Sequence, residues 1–63
     1  MNIGRNIRER REAMGMRRYK LARLAQTGWA TIRDTEDGKT VPRLETLGRI
    51  ANVLGCTVAE LCE

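Results

Sequence analysis

Apolar residues recur along this chain at the three- and four-residue spacing of an α-helix, in short runs that mostly end at a glycine. Leu44, Leu47, Ile50, Ala51 and Leu54 make the clearest stripe, which Gly55 follows. Ile3, Ile7, Met14 and the stem of Arg10 or Arg11 make a first stripe that Gly15 ends. Between them, Arg17 to Ala25 groups Leu21, Ala22 and Ala25, and Gln26-Thr27-Gly28 makes a turn. Trp29 to Asp37 follows, with Ile32 as its inward residue and Gly38 as its stop. Lys39 to Arg43, which contains Pro42, reads as an extended connection. Thr57-Val58-Ala59-Glu60 has the T-x-x-E form of a capping box, so a last short helix is expected. Alternating Val/Ile/Thr runs and Asn-Gly turns are missing, so strands are not expected. The pattern predicts a compact all-α domain of five short helices spanning residues 1–63, without linker, repeat or low-complexity tract.

Size and residue types then narrow the function. A chain of 63 residues buries only about 60% of its unfolded surface, so its core must be economical. The longest uncharged stretch, Ile50 to Ala59, is too short and too polar to span a bilayer. No secretory signal is read at the start, and two cysteines, Cys56 and Cys62, are too few for a disulfide framework. A soluble, cytoplasmic protein without membrane association is expected. There is no histidine, only one tyrosine, and the acids show no pairing pattern, so general acid–base catalysis has no candidate residues. Without histidine or a C-x-x-C pair, a four-coordinate zinc site lacks ligands. The expectation is a non-enzyme that carries no metal, no cofactor and no small-molecule ligand.

The charge is lopsided. Residues 1–33 hold nine Lys/Arg against two acids, a net of +7, whereas residues 34–63 hold three against six, a net of −3. A one-sided basic surface points to a polyanion, and nucleic acid is the commonest in a cytosol. The basic segment has no continuous Leu/Phe/Trp face, which disfavours a membrane-surface helix.

Two short helices joined by a glycine-containing turn, within a basic five-helix domain, suggest a helix-turn-helix. The ordered set Leu21-Ala22, Thr27-Gly28-Trp29-Ala30-Thr31-Ile32, Glu36-Asp37-Gly38-Lys39-Thr40-Val41-Pro42, Leu44-Glu45-Thr46-Leu47, Ile50-Ala51 and Leu54-Gly55 goes further. It resembles the phage repressor and Cro type of helix-turn-helix, the XRE family, from Ile3-Gly4 to Glu60-Leu61. That resemblance implies a lambda-repressor-like fold and sequence-specific binding of double-stranded DNA. It also implies a transcriptional regulator, most often a repressor, acting as a weak homodimer paired on DNA.

By the same resemblance, the segment from Trp29 is the recognition helix, with Trp29, Ala30, Arg33 and Asp34 facing base edges. Arg17, Arg18, Thr31, Lys39, Thr40 and Arg43 would meet the DNA backbone, and Arg11 with Glu36 would form a structural ion pair. Trp29 has a second reading, as a large residue covering the turn near Thr27 and Ala25. Asp34 can equally be a solvated neighbour of Arg33, since a carboxylate at a phosphate surface opposes binding. The chain departs from the family pattern at Arg10, Arg17, Gln26, Gly28 and Thr35. The rival function is an antitoxin-like or degenerate helix-turn-helix that serves as a protein-interaction module, favoured by Asp34 and Asp37.

Overall fold

A computed structural model describes residues 2–63. The five helices are α1 (Ile3–Ala13), α2 (Arg18–Leu24), α3 (Trp29–Glu36), α4 (Leu44–Leu54) and α5 (Val58–Leu61), with no strand among the described residues. Asp37, expected inside the third helix, is instead its flanking cap residue, and Arg17, which begins the second segment where the family pattern has a Ser/Thr cap, is the N-cap of α2.

None of these helices is long enough to be stable alone, so each holds its shape by burying one face against the others. Ile3 and Ile7 come from α1, Leu21 and Ala22 from α2, Ile32 from α3, and Leu47, Ile50, Ala51 and Leu54 from α4. Ala25 and Leu61 complete the core. Complete burial of an aliphatic chain contributes about 1.5–3 kcal/mol, and Ile7, Leu21, Ile32, Ile50 and Leu61 are all fully enclosed.

Two residues assigned to the apolar stripes lie outside the core. Met14, the cap residue beyond the last turn of α1, is 52% exposed, and Leu44, the first residue of α4, is 72% exposed. The periodicity continues through both positions, but each lies at a helix end.

The packing of α5 has a consequence for assembly. Leu61 is fully enclosed, and the Asn6 side-chain amide donates to its carbonyl oxygen at 2.8 Å. Val53 packs partly buried against the same core. Leu61 thus belongs to the chain's own interior and Val53 is partly engaged by it, so neither is a free apolar anchor for pairing between copies.

Helix ends explain how so short a chain makes its turns. After α1 and α3 the chain enters the left-handed region at Gly15 (φ 65°) and Gly38 (φ 77°), and it does so at Gln26 (φ 57°) after α2. Each of these three ends closes the same pair of backbone bonds. After α2, the Gln26 N–H donates to the Arg23 carbonyl at 3.2 Å and the Thr27 N–H to the Ala22 carbonyl at 2.9 Å. Gln26 thus does with a side chain what glycine does elsewhere. At α5 the expected capping box forms, with the Glu60 N–H donating to Thr57 Oγ1 at 3.1 Å and the Thr57 N–H to Glu60 Oε1 at 2.9 Å. No helix is long and apolar enough to cross a membrane among the described residues.

Candidate nucleic-acid interface

A four-residue turn, 25–28, joins α2 to α3, and α3 packs against both α1 and α2. Ile32, Thr35 and Glu36 form its buried side. Thr35 occupies a core position without leaving a polar orphan, because its hydroxyl donates to the Thr31 carbonyl at 2.7 Å. Gly4 lets α1 approach α3: a Cβ there would collide with the Thr35 carbonyl oxygen and come within 3.1 Å of the Glu36 Cα. With its inner side so engaged, α3 presents the opposite side outward. Trp29 and Ala30 are exposed, and Thr31, Arg33 and Asp34 are half-buried.

Glu36 fixes that orientation from below. Its side chain has no exposed surface, yet it is surrounded by donors. Arg11 donates Nε–H to Oε2 at 2.7 Å and Nη2–H to Oε1 at 2.9 Å, a bidentate pair, and its Nη1 reaches the Met16 carbonyl at 2.8 Å. Arg18 Nε lies 3.0 Å from Oε1 and Arg8 Nε 3.5 Å from it. Arg8 also donates to Asp37 Oδ1 at 3.2 Å. Burial pushes the Glu36 carboxyl up, but the hydrogen bonds from Arg11 and Arg18 outweigh it and hold the group below its ordinary value. The expected Arg11–Glu36 pair is therefore the centre of a larger cluster, and Arg18, expected at the DNA backbone, has its Nε committed to it.

On the outer side, Arg33 is held from two directions. Its guanidinium carbon lies 5.0 Å from the centroid of the Trp29 ring, a cation–π arrangement, and its Nε donates to Asp34 Oδ1 at 3.0 Å. That hydrogen bond holds the Asp34 carboxyl below its ordinary value. Trp29 is 47% exposed and lines an open groove of about 660 Å³ with Met16, Arg17, Arg18 and Tyr19, so it is not enclosed over the turn.

The remaining cations divide cleanly. Among the described residues Arg17, Lys20, Arg23, Lys39 and Arg43 have no carboxylate within 4.0 Å, and all five are exposed. Arg17, Lys39 and Arg43 are three of the residues expected at a phosphate backbone, and Thr40 is exposed beside Lys39. Lys20 and Arg23 had no role assigned from sequence. Their signal was available, since both fall on the side of α2 away from the buried Leu21 and Ala22.

Comparison with known proteins places this arrangement. A family model for the Cro/C1-type helix-turn-helix DNA-binding domain matches residues 6–63. The chain is 38% identical, over all of its 63 residues, to the HTH-type transcriptional regulator DdrOP3 of Deinococcus deserti, and it spans 49% of that protein. Among solved structures, the crystal structure of apo-HppE superposes with a TM-score of 0.83 at 33% identity, covering 95% of this chain and 34% of the other. The chain thus spans about half the length of the one relative and about a third of the other.

Proposed function

The chain belongs to the Cro/C1-type helix-turn-helix DNA-binding family, and on that premise we propose that it is a sequence-specific transcriptional regulator, a repressor that occupies its operator and excludes other proteins from it. One observation carries this reading. The outward side of α3 presents Trp29, Ala30 and Arg33 while Ile32, Thr35 and Glu36 lock its inner side, and unpaired Arg17, Lys39 and Arg43 come from the segments on either side of it. Base edges meet α3, and the flanking cations and Thr31 and Thr40 meet phosphate and sugar. Such a protein acts by occupancy and needs no catalytic group. One reading helix covers only a few base pairs, so two copies occupy half-sites about one helical turn apart. With Val53 and Leu61 engaged internally, the copies are monomeric at micromolar concentration and pair on DNA.

The rival role as a protein-interaction module drew on the charge of Asp34 and Asp37. Both acids are partnered, by Arg33 and Arg8 respectively, which removes most of that argument.

The test is a titration of a duplex selected from a random pool, and of a scrambled duplex, at several salt concentrations. Lys39→Ala and Arg43→Ala should each lower the slope of log affinity against log salt by about 0.9 and weaken both duplexes alike. Arg33→Ala should lose about 1–3 kcal/mol at one base pair and leave scrambled binding nearly intact. A footprint over two half-sites is expected at saturation. If neither duplex binds below millimolar concentration at low salt, the interaction-module role replaces this one.

A further inference from the structure

We propose that Asp34 is a positioning residue that converts Arg33 from a general cation into a selective reader of one guanine, by holding its guanidinium against the Trp29 ring with only the far end free. The inference rests on the DNA-binding reading above and gives Asp34 a role through Arg33 in place of a base contact of its own.

Neighbouring side chains on a helix diverge and do not ordinarily meet. A 3.0 Å hydrogen bond from Arg33 Nε to Asp34 Oδ1 therefore requires the arginine to lie along the helix surface instead of projecting freely. Trp29, one turn earlier, supplies the other support at 5.0 Å. An arginine has five N–H donors in a rigid fork. Asp34 takes the Nε–H, and among the described residues nothing else accepts from Arg33, so the four N–H groups on Nη1 and Nη2 remain available. That end of the fork matches guanine O6 and N7 in the major groove.

The same contact suppresses a competing use. A guanidinium neutralised by an adjacent carboxylate is weakly attracted to phosphate in general, so Arg33 adds little to binding that ignores sequence. The carboxyl is ionised at neutral pH, since the Arg33 hydrogen bond keeps it below its ordinary range. Asp34 thus restrains Arg33 twice, once in geometry and once in charge.

Replacing Asp34 should move two quantities in opposite directions. Asp34→Asn should raise affinity for a scrambled duplex and steepen its salt slope by about 0.9, because Arg33 gains a phosphate contact. It should also lower the preference for the selected duplex, over one changed at the guanine, by about tenfold. In an Arg33→Ala background, Asp34→Asn should leave that preference unchanged. The protein should stay folded, since an acid in the last turn of α3 opposes the helix dipole and its removal relieves that opposition. A parallel rise in affinity for both duplexes would make Asp34 a simple repulsive charge and overturn the proposal. A further loss of preference in the Arg33→Ala background would make it a direct reader and overturn it equally. Wild-type protein that binds selected and scrambled duplexes alike would instead remove the DNA-reading role beneath it.

Discussion

At Glu36 the fold and the recognition surface depend on a single carboxylate. Three arginines from two helices converge on a side chain with no exposed surface, and one of them, Arg11, is itself buried. Removing one member of a buried ion pair strands the other's charge and typically destabilises by about 3–5 kcal/mol, whereas an exposed pair is worth about 0–1. A domain of this size has a total stability on the order of 5 kcal/mol. Glu36→Gln is therefore expected to keep only about 0–2 kcal/mol of that stability and to melt at least about 12 °C lower, which thermal loss of the helical circular dichroism signal would register. An unchanged melting temperature would mean that the cluster is not structural. The pH dependence follows from the direction of the shift. The folded-state Glu36 value is depressed, so its stabilisation is complete above the ordinary 4.5 and is lost as pH falls through the folded value. The melting temperature should thus drop steeply in acid below about pH 4.5, more than in a variant that lacks the cluster. The Arg11–Glu36 partnership was legible from the family pattern, but the convergence of Arg8 and Arg18 was not. Helical spacing tells which residues share a face, and it does not tell which long side chains from separate helices reach one point.

Among the elements, the turn from α2 to α3 is the one whose local chemistry disagrees with its conformation. Gln26 holds φ at 57° where α1 and α3 use glycine. A residue with a Cβ loses roughly 1–2 kcal/mol in that conformation. Gln26→Gly removes the strain but admits more freedom to the unfolded chain, for a net gain of about 0.5–1 kcal/mol. For a domain this short 1 kcal/mol corresponds to about 4–8 °C, so a rise of several degrees in melting temperature is expected by calorimetry. No rise would show that the turn tolerates glutamine without strain. The departure at Gln26 was visible in the sequence against the family pattern, and so was the Thr57–Glu60 capping box, because both depend on residues within one turn. Met14 and Leu44 were misplaced for the opposite reason. Periodicity assigns a face to every residue of a helix, but burial ends where the neighbouring helix ends, which is a property of the assembled bundle.

Across the whole molecule, the basic half carries less free charge than its composition suggests. Of its nine cations, Arg5, Arg8, Arg10, Arg11, Arg18 and Arg33 each lie within 4.0 Å of a carboxylate, which leaves Arg17, Lys20 and Arg23. Together with Lys39 and Arg43 they make five unpaired cationic side chains among the described residues, so the salt slope on scrambled DNA should not exceed about 4.5 per protein copy. A steeper slope would mean that the internal pairs open on binding. The net of +7 was legible by counting, whereas its neutralisation was not, because most of these pairs join residues far apart in the chain. One further property follows from the place of Trp29. It is the only tryptophan, Tyr19 is the only tyrosine, and the two line the same open groove beside Arg33. Any ligand that covers the outer side of α3 changes the surroundings of a single indole, with a single energy-transfer donor close by. The protein's own emission spectrum therefore reports whether its recognition helix is occupied, with no label attached.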